Sequence, residues 1–243
     1  MDGLDWKSES DFEIGGYTIR LSYVHGGSEA KSSGNEFALM KGKKFLQHYT
    51  SLDRMKCRKV LELGVYQGGS FVFLDQLLQP EKISAVELST TPISALDEYV
   101  SKHSSRAKLH YGTSQDDTDR LLEIVREDFG GELDLVVDDA SHFYEQTKTS
   151  FKTLFPLLRP GGTYIIEDWN WAFQDVFQSP DNDWFSVPSP ANLMIDLLED
   201  MTRNGMISGI EVYRQLWKIH RSEFKADGVF LSQGRRGRTI GVL

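Results

Sequence analysis

An α/β fold built on a doubly wound, mostly parallel sheet is predicted by two features of the chain. From residue 58 to 167, apolar strand-like runs alternate with stretches of helical periodicity. Within that region, Val60-Leu-Glu-Leu-Gly-Val-Tyr-Gln-Gly-Gly-Ser70 passes from a buried run through closely spaced glycines into an apolar helix. At 243 residues, with 40% apolar and 12% aromatic residues, the chain is long and apolar enough for a substantial core.

Residues 1–35 are polar and glycine-rich and read as an N-terminal extension, with a short strand near Tyr17–Tyr23 and loops at Gly26-Gly27 and Ser32-Ser33-Gly34. Residues 36–50 carry the pattern of an amphipathic helix leading into a single domain over 36–243. Strands are expected at 58–63, 82–87, 107–112, 133–138 and 162–167, with helices at 69–78, 92–103, 116–128 and 143–157 between them. Pro92 and Asp116 are helix starts, and Arg159-Pro-Gly-Gly162 is a stop before the fifth strand. Trp169–Pro190 has no periodicity, three prolines, and Trp169, Trp171, Phe173, Phe177, Trp184 and Phe185 among polar residues. A segment of that length is functional or disordered, and its aromatics favour a lid-like insertion that walls an acceptor. Residues 191–203 read as a helix, and 209–220 with 228–232 as a C-terminal antiparallel strand pair. The sum is a Rossmann-like sheet.

Composition narrows the function. Net charge is −9, from 36 acids against 27 bases, which argues against a nucleic-acid surface. Arg235, Arg236 and Arg238 read as a solvated end. The single cysteine, Cys57, precludes an internal disulfide and suits a reducing cytoplasm, and its place before the first strand suits a buried thiol. No apolar run approaches the length of a membrane span, and Met1-Asp-Gly-Leu-Asp is too acidic for a signal peptide. The expectation is a cytoplasmic protein with no membrane partner.

In open α/β sheets, ligands bind beyond the carboxyl ends of the strands, so the residues there carry the chemistry. Glycines at 64, 68 and 69 permit a tight turn and close approach of backbone to ligand. Glu87 ends the second strand about 20 residues on, where an acid accepts hydrogen bonds from ribose hydroxyls. Gly112-Thr-Ser-Gln-Asp116 is a polar turn that holds an adenine, caps the next helix, or does both. The fourth strand ends in Asp138 and Asp139, followed by His142, and the fifth ends in Glu167 and Asp168. Carboxylates gathered on one rim repel one another, and a hard divalent cation such as Mg2+ relieves that repulsion. Imidazole titrates near neutral pH, so His142 is the natural general base. There is no G-x-S-x-G elbow and no Walker lysine.

Together these residues resemble a class I S-adenosylmethionine-dependent methyltransferase. Glu62-x-Gly64-x-x-x-Gly68 resembles the family's first motif, Glu87 its ribose-binding acid, and Arg159-Pro-Gly-Gly162 the turn before its fifth strand. The chain departs from the usual E-x-G-x-G-x-G at Tyr66. The Gly68-Gly69-Ser70 ending is instead similar to the metal-dependent macrocin and mycinamicin sugar O-methyltransferases and the cephalosporin hydroxylase-type methyltransferases. The resemblance spans about residues 36–168 and is most specific at Asp138-Asp-Ala-Ser-His142 with Ile166-Glu-Asp168.

The resemblance implies Mg2+ held by Asp139, Glu167 and Asp168, with His142 as the base. It implies S-adenosylmethionine held by Glu62, Gly64, Tyr66, Gly68, Ser70, Glu87, Ser114, Asp116 and Asp138. The implied reaction moves a methyl group to a hydroxyl of a small molecule, with a sugar or other vicinal diol of a natural product suited to a chelating metal. Homo-oligomers are common in that subgroup. Two rivals remain at the level of sequence. A NAD-dependent oxidoreductase would use the same glycine turn but leaves the rim carboxylates unexplained, and a non-catalytic S-adenosylmethionine-binding relative would keep the fold without turnover.

Overall fold

Alternation of apolar residues with turn-forming glycines makes strands out of most of the region before the first α/β repeat. The computed structural model describes residues 4–22, 31–203 and 205–224. The chain divides into two compact units, Met1–Ser114 and Gln115–Leu243.

The first unit opens with a small sheet of β1 (Asp5–Trp6), β2 (Asp11–Ile14), β3 (Tyr17–Leu21) and β4 (Glu36–Leu39), in that order. Gly15 and Gly16, at φ 59 and 84, form the two-residue β2–β3 turn, whose twist requires positive φ at both positions. β4 pairs parallel to β3. The helix expected over 36–50 is therefore corrected to a strand followed by a single turn, α1 (Gln47–Thr50). Phe37, Ala38 and Leu39 are buried in succession, as in a strand covered on both faces, where an amphipathic helix would have exposed one of them. The sheet runs across residue 35, where the N-terminal extension was expected to end.

β5 (Lys59–Leu63), α2 (Gly69–Leu78), β6 (Lys82–Glu87), α3 (Ser94–Lys102) and β7 (Ala107–Tyr111) follow with bounds close to those expected. β5, β6 and β7 pair in parallel. α2 is buried along nearly its whole length because the small sheet covers it: Phe12 meets Phe73 edge-on at 5.6 Å. A Cβ at Gly69 would lie 2.2 Å from the Ala38 carbonyl oxygen, so β4 packs on α2 only because residue 69 has no side chain.

The second unit contains α4 (Thr118–Phe129), β8 (Leu133–Asp138), α5 (Tyr144–Leu154), β9 (Leu158–Glu167), α6 (Leu193–Arg203), β10 (Ile207–Val212) and β11 (Leu216–Arg221). Asp117, one residue beyond the expected start, caps α4 by accepting from the Arg120 amide at 3.1 Å. Every residue of β8 is buried, as a central parallel strand requires. β9 begins earlier than expected, and Arg159–Gly162 lies inside it as an irregularity, because Leu133 pairs with Leu158 while Leu135 already pairs with Thr163. Gly162 permits this, since a Cβ there would sit 2.9 Å from the Arg159 carbonyl oxygen. The antiparallel pair is formed by β10 and β11, folded out of the 209–220 stretch expected as one strand. The strand expected at 228–232 lies outside the described residues, as do Gly26, Gly27, Arg235, Arg236 and Arg238.

The result is a mostly parallel seven-stranded sheet in the order β10-β11-β9-β8-β5-β6-β7. Cys57 is buried and, as the only cysteine in the sequence, has no disulfide partner within the chain. Among the described residues, no helix is long and apolar enough to cross a membrane.

Candidate functional site

In the first unit the strand β5 breaks at a turn that only unusual backbone allows. Gly64, Tyr66 and Gly68 all have positive φ, at 83, 49 and 83. The Gly68 amide closes the turn onto the Val65 carbonyl at 2.7 Å, and Gly68 then caps α2. Tyr66 is not a glycine, so its left-handed backbone costs about 1–2 kcal/mol, and its side chain is left projecting with 40% exposure. Glu87, at the end of β6, is brought to this turn. One carboxylate oxygen accepts from the Val65 amide at 3.1 Å and the other from the Ser89 amide at 2.9 Å. Glu62 is fully buried at the end of β5, and Ser70 is buried in the first turn of α2. Thr113, just before Ser114, donates its amide to the Glu87 carbonyl at 3.0 Å, which ties the polar turn after β7 to the same strand end. A glycine turn with an acid hydrogen-bonded to it suits an adenosyl group: the backbone is open to close approach, and the half-buried Glu87 keeps lone pairs for ribose hydroxyls.

In the second unit, β8 and β9 end side by side. Ligand atoms of Asp139, His142 and Asp168 lie within 4.8 Å of one another, and His142 Nε2 is 3.9 Å from Asp139 Oδ1. All three side chains are half-buried. The two carboxylates offer oxygen donors of the kind a hard divalent cation takes, and the imidazole stands beside them. Glu167 is 1% exposed and stands outside this group. The reason is strand geometry: successive residues on a strand point to opposite faces, so Glu167 and Asp168 do not project together.

His142 and Asp168 both have left-handed backbone, at φ 58 and 46. Such conformations persist where the surroundings over-determine them, and each costs about 1–3 kcal/mol. The surroundings here are specific. The Asp168 amide donates to the Gln215 carbonyl at 2.7 Å and the next indole, Trp169 Nε1, donates to the Tyr213 carbonyl at 3.0 Å, so the β10–β11 turn holds that end of β9. Trp171 Nε1 donates to the His142 carbonyl at 2.7 Å, and the Tyr144 amide donates to the Pro188 carbonyl at 3.0 Å. The aromatic segment thus grips the loop before α5 at two points. Inside it, Trp171, Phe177, Trp184 and Phe143 pack ring on ring, with Phe177 and Trp184 stacked at 5.3 Å. Short 3-10 turns at Trp171–Phe173 and Asp175–Gln178 give it order that periodicity did not reveal.

Asp138 faces inward beneath the rim. Its carboxylate accepts from Gln115 Nε2 at 3.0 Å, Ser150 Oγ at 2.6 Å and Tyr164 OH at 2.9 Å. Burial pushes its pKa from 3.8 to about 6, against the lowering effect of the Ser150 and Tyr164 hydrogen bonds. Gln115 Oε1 also accepts from the Ser141 amide at 2.7 Å, so one buried side chain joins the end of β8 to the loop that carries Asp139 and His142. Asp116, next to it, is exposed. Gln115 lies in the polar turn singled out from the sequence, but its bridging role escaped that reading, as did Ser150 and Tyr164. The usable signal was a hydroxyl or amide at a position the apolar pattern buries, because such a group must have a partner.

The sheet, the glycine turn with its acid, and the carboxylate–histidine rim are the features that the resemblance to class I methyltransferases leads one to expect. Residues 61–169 match the Methyltransf_24 family, described as a methyltransferase domain. A tetracenomycin-modifying enzyme of Streptomyces olivaceus, 8-demethyl-8-(2-methoxy-alpha-L-rhamnosyl)-tetracenomycin-C 3'-O-methyltransferase, is 36% identical over 129 residues, covering 50% of this chain and 30% of that enzyme. Mycinamicin VI 2''-O-methyltransferase of Micromonospora griseorubida is 48% identical over 54 residues, or 22% of this chain and 13% of that one. Among solved structures, the MycE methyltransferase of the mycinamycin pathway, in complex with Mg, SAH and mycinamycin VI, superposes with a TM-score of 0.57 at 26% identity. That match covers 74% of this chain and 48% of that one. An O-methyltransferase from Bacillus cereus shares the fold, with a TM-score of 0.51 at 16% identity over 74% of this chain and 80% of that one. The chain spans 30% or less of the curated relatives it matches and about half of the MycE chain.

Proposed function

We propose that this chain is an S-adenosylmethionine-dependent, Mg2+-assisted O-methyltransferase. Its acceptor is a hydroxyl of a small molecule, of the sugar or vicinal-diol type found on natural products. The observation that carries the reading is the convergence of Asp139, His142 and Asp168 within 4.8 Å at the ends of two neighbouring strands. The sugar O-methyltransferases among the relatives, and the Mg and SAH bound by MycE, support it.

In this reading the glycine turn of the first unit holds the cofactor. Gly64, Tyr66 and Gly68 shape the backbone, Glu62 and Ser70 flank it, and Glu87 takes the ribose hydroxyls. Ser114 and Asp116 supply polar atoms after β7, and Asp138 acts from beneath the rim through Gln115. Bound S-adenosylmethionine supplies the sulfonium methyl group. The rim of the second unit would hold the metal: Asp139 and Asp168 present carboxylate oxygens, while Glu167, the third acid the resemblance implies, is buried outside the converging group. Mg2+ bound there would supply Lewis acidity toward the acceptor hydroxyl. His142, whose Nε2 lies 3.9 Å from Asp139 Oδ1, is the group placed to receive the hydroxyl proton. The compartment that suits the lone thiol of Cys57 is the cytoplasm.

Calorimetric titration with S-adenosylmethionine and S-adenosylhomocysteine, with Mg2+ and with EDTA, tests the reading. Micromolar binding of either is expected. Absence of binding in every condition, with NAD bound instead, would transfer the glycine turn to an oxidoreductase.

A further inference from the structure

The left-handed backbone of His142 costs about 1–3 kcal/mol, and groups that hold it are on view. Three peptide units near it are tied: the Ser141 amide donates to Gln115 Oε1 at 2.7 Å, the His142 carbonyl accepts from Trp171 Nε1 at 2.7 Å while the Phe143 amide of the same unit donates to Ser141 Oγ at 3.2 Å, and the Tyr144 amide donates to the Pro188 carbonyl at 3.0 Å. Of these, the Trp171 bond acts on His142 itself. Flipping the His142 peptide out of the left-handed region would swing its carbonyl away from the indole. The indole cannot follow. It is 5% exposed and wedged against Phe177 at 5.2 Å, Trp184 at 5.0 Å and Phe143 at 6.4 Å. For the same reason Trp171 has no free face on which a sugar could stack.

We propose that Trp171 is a positioning residue: its indole N–H, fixed by the ring cluster of the aromatic segment, locks the His142 peptide in the conformation that turns the imidazole toward Asp139 and Asp168. The proposal rests on the proposed role of the rim in binding metal and accepting a proton. It gives the aromatic segment a second task besides walling the acceptor, since the segment's folding and the assembly of the rim become one event.

The test compares Trp171→Phe with Trp184→Phe in the full chain. Phenylalanine at 171 keeps a ring in the cluster and removes only the donor. Trp184 belongs to the same cluster, at 5.0 Å from both Phe143 and Trp171, and its side chain makes no hydrogen bond to the rim among the described residues. Histidines are labelled with 15N and the His142 ring signals are assigned by their loss in His142→Gln. In metal-free protein, Trp171→Phe is expected to shift the His142 ring signals and Trp184→Phe to leave them in place. With Mn2+ as the probe, Trp171→Phe is expected to weaken binding by about tenfold, the size typical of lost outer-shell support, and Trp184→Phe to leave it unchanged. If Trp171→Phe does not fold, benzothienylalanine at 171 replaces the N–H by sulfur in a ring of nearly the same shape and gives the same readout. Ring signals that move equally in the two variants, or in neither, would overturn the proposal. Wild-type protein that binds no Mn2+ would instead count against the metal reading, and the histidine spectrum would still decide the role of Trp171.

Discussion

Asp138→Asn removes a charge that the fold buries at a cost. Burial raises this carboxyl from 3.8 to about 6. A displacement of about two pH units corresponds to about 3 kcal/mol. The folded state therefore binds a proton that the unfolded chain has already released between about pH 4 and 6, and stability from this group is full below that window and lost as pH rises through it. Asparagine can be accommodated without stranding a donor. Its oxygen can accept from Gln115 Nε2 and its amide donate to Tyr164 OH, while Tyr164 donates to Ser150 Oγ at 3.1 Å and Ser150 to the Thr147 carbonyl at 3.0 Å. The stability of Asp138→Asn relative to wild type should accordingly rise by about 3 kcal/mol between about pH 4 and pH 7.5, most of it by about pH 6.5. Urea unfolding in EDTA at a series of pH values measures this difference. A difference that stays flat across the window would show that Asp138 ionises in the folded protein as readily as in the unfolded one, and the buried-charge argument would fall.

Other outcomes follow from the same geometry. His142→Ala should keep S-adenosylmethionine affinity in calorimetry and lose about 10²- to 10⁴-fold in turnover once an acceptor is found; full turnover would remove His142 from the base role. Asp168→Asn should weaken Mn2+ binding by more than about tenfold, and Glu167→Gln, buried and outside the converging group, should weaken it less. Equal losses would place Glu167 directly on the metal. Gly69→Ala pushes a methyl to within 2.2 Å of the Ala38 carbonyl oxygen and should destabilise the first unit by about 1–3 kcal/mol in urea unfolding; an unchanged midpoint would mean that β4 yields freely.

Strand and helix bounds in the α/β repeats were legible because each buried face repeats in sequence with its own period, as at Lys82–Glu87 and Leu133–Asp138. The turn at Gly64–Gly68 was legible for a related reason, since only glycine takes such backbone cheaply. Strand ends were equally informative, because acids and a histidine that close apolar runs must share one rim once those strands pair. The small N-terminal sheet was not legible. Its short strands carry too few residues to show a period, and β4 is a strand because β3 and α2 lie against it. Nor could the linear pattern show that Trp171, 29 residues from His142, holds its carbonyl, or that Gln115 bridges Asp138 and Ser141. Local spacing determines which residues reach a strand end, because covalent geometry sets the period along each element. Which side chains then converge, which are turned inward like Asp138, and which backbones are held under strain depend on contacts between segments far apart in the chain, and only the packed structure supplies those.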